Sequence, residues 1–505
     1  MPRALTSSVL ALGTSALVLM LPACEPRDAG VATAGAATTT AGATAAANSG
    51  SIPVTSRSAE ARRLYLEGRA LSENLRAHDG RQLYARAAEA DPSFAMAHFQ
   101  LAANAATAKD FFTHMKRAVA LADSASEGER LMILALEAGG NADPSKALEY
   151  QRQLVELYPN DERAHFLSGN GWFGQQEFRK AVDAYQAATR INPRFAPAYN
   201  LLGYAQRSLE DYEASEAAFR KYIELIPNDP NPYDSYAELL MKTGRFEESV
   251  AQYRKALALD PKFSASRVGI ATNRMLQGRH DEALTEMEGM LRDARDDGER
   301  RTALFTRGVI LTDAGRTDEA VREIEREYAL DARLADTANM SGDAQLLGNI
   351  LLDAGRADAA AARFRQALQL VERSSLSDDV KQDIRLADRY NRGRVALAKG
   401  DLATAKAEAN AYADGAAARK NLFRTRQAHA LVGAIELKEG QYDQAIAHLS
   451  QASQQDPQVL YWTALAYRGK GDSAKAKAFA GRAAKANVLP LMSYAFVREK
   501  AKKMA

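Results

Sequence analysis

Pro159, Pro193, Pro227 and Pro261 stand 34 residues apart, and other residues keep the same step. Gly169, Gly203, Ala237 and Ala271 form one column. Ala181, Ser215, Ser249 and Ala283 form a second, and Tyr185, Phe219, Tyr253 and Met287 a third. A fixed period in the mid-thirties restricts a chain to stacked helical hairpins, none of which can bury its apolar face alone. The columns state how the helices meet. A small residue midway along the first helix faces a small residue on the second, so the backbones approach closely. The large residue fills the space beside them and buries much apolar area. Proline follows the second helix and stops it, because it lacks the amide donor and clashes with the preceding turn.

This order of small residue, Ala-x3-aromatic and terminal Pro resembles the tetratricopeptide repeat family. The resemblance implies an all-α, superhelical α-solenoid, here of about eleven to twelve helical hairpins. Gly68, Tyr84, Ala87 and Pro92 mark a first hairpin, and the regular block follows. Beyond Pro261 the terminal prolines drop out while the columns persist, through Gly308 and Ala320, Gly348 and Phe364, Gly393 and Ala405, then Gly433 and Leu449. Charged or small-residue breaks at 292–298, 372–383 and 413–421 divide the array. The expected organisation is an N-terminal array over 58–292, a C-terminal array over 293–486 and a capping helix over 487–505 that covers the end of the stack. Lys500, Lys502 and Lys503 then lie at the favourable end of that helix dipole. Periodicity leaves open whether the two arrays stack continuously.

The N-terminus reads as a targeting segment over 1–23. Arg3 is the only charged side chain before Cys24, and Val9–Leu21 is an apolar run of signal-peptide length. The run ends in Leu21-Pro22-Ala23-Cys24, which resembles the bacterial lipobox. That resemblance implies cleavage before Cys24 and lipidation of it, and Cys24 is the only cysteine in the chain. Glu25 follows, rather than the Asp that often marks inner-membrane retention. The expected location is the cell envelope, lipid-anchored, at the outer membrane and facing the periplasm. Residues 24–57 are rich in Ala, Thr and Gly and poor in large apolar groups, so a disordered tether is expected there. Its reach is roughly 30 Å.

Charge is nearly balanced, with 66 basic and 64 acidic residues, so no basic face for nucleic acid is expected. Chemistry-bearing motifs are few. Gly169-Asn-Gly-Trp-Phe-Gly174 matches the dinucleotide fingerprint formally, but Gly169 sits mid-helix in a repeat column, where that motif cannot work. The seven histidines, His78, His98, His114, His165, His280, His429 and His448, form no metal-ligand spacing. No nucleophile elbow is present. The reading is therefore no enzyme, no cofactor and no metal.

In the resembling family the first helices line a concave groove that takes a peptide or a partner helix. The corresponding positions are Phe166, Asn170 and Phe173; Asn200, Tyr204 and Arg207; and Asp234, Glu238 and Met241. Aromatic, amide and charged groups of this kind can stack and hydrogen-bond on a peptide. The family's Lys/Asn clamp for a C-terminal carboxylate is matched here by Asn170 alone, so that specificity is not expected. The function expected is a protein–protein interaction scaffold or assembly factor on the bacterial envelope, with unidentified protein partners. The alternative is a lipoprotein that captures a glycan or small ligand.

Overall fold

In the computed structural model the described residues are 50–73, 76–105, 108–374 and 376–505. Among them lie twenty-five α-helices and no strand. The first eight are α1 (Ala59–Glu73), α2 (Ala77–Ala90), α3 (Ala95–Ala103), α4 (Ala108–Leu121), α5 (Glu127–Gly140), α6 (Pro144–Leu157), α7 (Glu162–Gly174) and α8 (Phe178–Ile191). The middle of the chain gives α9 (Ala196–Ser208), α10 (Tyr212–Leu225), α11 (Pro230–Lys242), α12 (Phe246–Leu259), α13 (Ser264–Leu276), α14 (His280–Arg292), α15 (Asp297–Asp313) and α16 (Thr317–Arg333). The remainder are α17 (Thr337–Asp353), α18 (Ala357–Glu372), α19 (Asp378–Lys399), α20 (Leu402–Ala418), α21 (Leu422–Lys438), α22 (Tyr442–Gln451), α23 (Pro457–Gly469), α24 (Ser473–Ala484) and α25 (Met492–Lys502). Successive pairs form twelve hairpins, and α25 stands alone after them.

The columns act as the sequence suggests. A methyl group placed on Gly169 would stand 2.4 Å from the Tyr185 ring, and one on Gly203 2.8 Å from Phe219. Tyr185, Phe219 and Tyr253 are fully buried. Helix starts are fixed by side chains that satisfy the free amides of the first turn. Asp161 accepts from the amides of Arg163 and Ala164, Asp211 from Ala214, and Ser126 with Glu129 makes a capping box. In the middle hairpins the tight turn between the two helices needs one left-handed residue. Gly244 and Gly278 supply it in two hairpins, and Gln176 (φ 59°) and Glu210 (φ 63°) hold the same place in others.

Every helix packs on the next, including α14 on α15, so the stack continues through the charged break at 292–298. What changes there is helix length. Helices α7 to α14 have 13 or 14 residues, whereas α15, α16 and α17 have 17. The extra turn lengthens the repeat, so Gly308 to Gly348 and Ala320 to Ala360 are both 40 residues apart. The longer helices run through the place where the earlier repeats carry their terminal proline.

The stack winds until its second turn rests on its first. Phe112 of the second hairpin packs with Ala338, Val371 and Val380 of the ninth and tenth. The Ser145 hydroxyl donates to the Lys420 carbonyl at 3.0 Å. Arg426 in the eleventh hairpin donates to the Gln175 carbonyl and, at 2.7 Å, to Glu177 in the fourth. Gln455 donates to the Ser208 carbonyl at 2.8 Å.

Two segments depart from the sequence reading. Residues 51–57, assigned by composition to the tether, lie along the first four hairpins. The amide of Ile52 donates to Asp161 at 2.8 Å, that of Thr55 to Glu129 at 2.8 Å, and that of Arg57 to Asp91 at 3.1 Å. Ile52 and Val54 also pack on the core, giving this short stretch the apolar area the rest of the segment lacks. Cys24 and most of the 24–57 segment lie outside the described residues, as do residues 1–23.

The second departure is α25. It packs on α23 and α24, but its other face enters the first turn of the superhelix against α15. Arg498 is only 1% exposed, and its guanidinium forms a bidentate pair with Asp313. It also donates to the carbonyls of Leu276 (3.1 Å) and Met275 (3.3 Å) in the last turn of α13. Met492, Tyr494 and Val497 join the core of Met275, Val309 and Ile310. The C-terminal helix is thus a clasp between turns as well as a cover on the last hairpin.

Candidate functional site

Consecutive first helices contact one another, α9 with α11, α11 with α13 and α13 with α15, so they form the inside of the curve. Of the expected groove residues, Asn200, Tyr204, Arg207, Asp234, Glu238 and Met241 lie on α9 and α11, and Phe166, Asn170 and Phe173 lie on α7, the first helix of the hairpin before. Their burial divides them.

Phe166, Asn170, Phe173 and Arg207 are half-buried. Phe166 meets Tyr185 and stands edge-on to Phe195 at 5.4 Å between centroids. Asn170 accepts from the Tyr185 hydroxyl at 2.9 Å. Phe173 lies edge-on to Phe178 at 5.3 Å. These rings serve packing with part of their surface and leave the rest open.

Asn200, Tyr204, Asp234, Glu238 and Met241 are buried and do not form an open partner surface, which corrects the sequence reading. Two causes act. First, the inner helices are close enough for side chains to bridge them. The Tyr204 hydroxyl donates to Glu238 at 3.2 Å, Arg207 pairs with the other Glu238 oxygen at 3.3 Å, and Ser266 donates to Asp234 at 2.8 Å. Arg207 also lies 4.7 Å from the Tyr204 ring centroid, a cation–π arrangement. Secondly, the chain's own C-terminal segment covers this region. Leu489 packs on the cluster holding Tyr204 and Leu239, and Met241 shares a core with Met492 and Tyr494. A signal for this was present in the sequence. Val488-Leu489-Pro490-Leu491 is the most apolar stretch after the last hairpin, and an end cap with a polar outer face has no need of it.

A buried acidic group lies deeper, between α15, α16 and α17. Arg301 stands 3.1 Å from Glu327, 3.1 Å from Asp331 and 3.6 Å from Asp343. The charge of Asp331 also bears on Asp343, adding to the repulsion in this group. One guanidinium cannot balance three carboxylates away from water. Burial, the leading cause, pushes Glu327 up to about 7 and Asp331 up to about 6, and raises Asp343 well above the usual carboxylate range. Asp336, in the turn before α17, adds to the load on Asp331.

Four of the histidines, scattered in sequence, pair within hairpins. His98 faces His114 with Nδ1 atoms 3.4 Å apart, and His429 faces His448 at 3.0 Å. Burial holds His98 down at about 4 and lowers His114 and His429, so these three rings are neutral near pH 7. Among the described residues no group of three or more His, Cys, Asp or Glu could hold a metal ion.

Comparison with known proteins agrees with the repeat geometry. A family model described as "Tetratricopeptide repeat" matches residues 172–230 and 433–487, and a second of the same description matches 240–308. These stretches of the chain are tetratricopeptide repeats. Among curated proteins it is similar to anaphase-promoting complex subunit 3 of Schizosaccharomyces pombe, at 25% identity over 43% of this chain and 31% of that one. It is also similar to the ESX-5 secretion system protein EccA5 of Mycobacterium marinum, at 30% identity over 36% of this chain and 32% of that one. The peroxisomal targeting signal receptor of Kluyveromyces lactis matches at 29% identity over 22% and 19%. The chain thus spans under a third of the length of each of these relatives. A solved structure, the APC/C hetero-tetramer Cut9-Hcn1, matches 84% of this chain and 76% of its own at 15% identity, with a TM-score of 0.41. Proteins built of these repeats generally mediate protein–protein interactions and assembly.

Proposed function

We propose that this chain is a protein-interaction scaffold or assembly factor held at the bacterial cell envelope. The observation that carries the reading is the inner face of the fourth and fifth hairpins, where Phe166, Asn170, Phe173 and Arg207 keep open surface on a rigid, continuous stack. Rings, an amide and a guanidinium suit a peptide or a helix from a partner, which gains from stacking and from hydrogen bonds to its backbone. The groove farther along is occupied by α25, so the partner-binding surface is the first part of the inner face. Cys24 in its lipobox-like setting is the proposed lipid attachment, and Glu25 after it favours the outer membrane, facing the periplasm. Two acyl signals or more give stable anchoring.

Two experiments test the two halves separately. Metabolic labelling with an alkyne fatty acid should mark the chain and fail to mark Cys24→Ser; equal labelling of both removes the anchor. Cross-linking in intact cells, followed by mass spectrometry, should give partners that are lost in Phe166→Ala/Phe173→Ala and in Arg207→Glu. Partners retained by both variants remove the groove.

A further inference from the structure

Where the second turn of the superhelix rests on the first, it leaves a cleft of about 360 Å³. That lies within the size range of small-ligand sites, roughly 300–1,000 Å³. The first turn contributes Glu210 from the α9–α10 turn and Lys242 from the end of α11. The second contributes Lys477 and Arg482 from α24 and Lys485 from just after it. Four cations therefore face one carboxylate, and that carboxylate, Glu210, is engaged by Arg482 at 3.6 Å.

Lys242 sits at the floor. Its ammonium donates at 2.7 Å to the Ala486 carbonyl, and among the described residues no carboxylate stands within ion-pair distance of it. An ammonium has three donors, so two remain for a ligand. Burial, with Arg207 and Arg482 nearby, pulls its pKa down to about 8 against the opposing pull of Glu210. A desolvated cation among like charges is a position that an anion relieves. Lys477 and Lys485 are exposed at the rim, and no atom stands within 4 Å of the point where a Cβ on Gly481 would lie, so the approach between them is clear.

We propose that this cleft binds a multiply charged oxyanion, with Lys242 as its floor contact and Arg482, Lys477 and Lys485 around it. The site draws on both turns of the superhelix, so an occupied cleft ties the turns together. The inference is independent of the partner groove, since none of the groove residues lines the cleft.

The test uses the full chain, with pyrophosphate as a small probe and a hexaglutamate peptide as a macromolecular one. Binding is followed by calorimetry at low and moderate salt, and thermal unfolding is followed with each probe. At least one probe should bind and raise the melting temperature, since a ligand of the folded state stabilises it. Lys477→Glu/Lys485→Glu, two changes on an exposed face, should weaken that binding about tenfold, and added salt should weaken it further. Lys242→Met should abolish the thermal shift while circular dichroism shows the helical fold retained. Tighter binding of pyrophosphate identifies a small phosphate-type ligand, and tighter binding of the peptide identifies carboxylates of a partner chain. Neither probe binding at about 1 mM, or binding indifferent to both variants, overturns the site.

Discussion

At the scale of single residues, the tight-turn position at the tip of each hairpin is the simplest test of how the repeats are built. Gly244 and Gly278 adopt the left-handed backbone there at no steric cost, whereas Gln176 adopts it with a Cβ. Gln176→Gly should therefore stabilise the chain by about 1 kcal/mol, measured by denaturant unfolding, even though glycine usually destabilises. Arg498 makes the opposite case. Its pair with Asp313 is buried on both sides. Arg498→Met should cost about 3–5 kcal/mol, because it strands the Asp313 carboxylate away from water with only His280 beside it. Adding Asp313→Asn to Arg498→Met should recover part of that loss. A double variant as unstable as the sum of the singles would mean that the pair does not act as a unit.

At the scale of helices and hairpins, the acidic group around Arg301 predicts an unusual pH dependence. The folded-state pKa values of Glu327, Asp331 and Asp343 are raised. The fold then binds protons more tightly than the unfolded chain. The stability from these groups is fully present below the unfolded carboxylate value of about 4, and is lost as pH rises through about 6 to 7. Asp343→Asn keeps the shape and removes one charge. Its melting temperature should exceed that of the parent at pH 8 and approach it at pH 5. A constant difference across that range would show that the cluster does not titrate there. The comparison between the two chains isolates this term from the neutral His98 and His429, which act in the other direction.

How much of these elements the sequence disclosed follows from what periodicity can encode. The small and large columns report packing between adjacent helices, which is local in sequence, so the hairpins and the Gly169–Tyr185 and Gly203–Phe219 contacts were legible. So was the position of Phe166, Asn170 and Phe173 on the inner helices. The change of step from 34 to 40 residues was present as well, in the spacing of Gly308 and Gly348, but reads as decay until the longer helices are seen. Contacts between turns leave no period. Nothing along the chain links Arg498 to Asp313, 185 residues away, or Arg426 to Gln175, 251 residues away. For the same reason Met241 looks like a groove residue: its place on the helix is that of one, and what covers it comes from the far end of the chain.

At the scale of the whole molecule, the chain is a solenoid wound until its turns meet, with the last helix holding them. An array of this kind is ordinarily springy, because each hairpin touches only its neighbours. Here the eleventh hairpin also touches the fourth, through Arg426 and Glu177, and α25 ties the end of the chain to α13 and α15. The result is a stiff body that offers the first part of its inner face and keeps the middle filled. Removal of residues 487–505 should loosen the winding and raise the radius of gyration in small-angle scattering, with little loss of helicity per residue.

The most direct measurement is the distance between the turns. Spin labels on Ser208→Cys and Gln455→Cys, with Cys24 replaced by Ser, sit on either side of the contact between first and second turn. Pulsed dipolar spectroscopy should give a short, narrow distribution in the full chain and a long, broad one after Arg498→Glu. A long, broad distribution in the intact chain would contradict the closed superhelix.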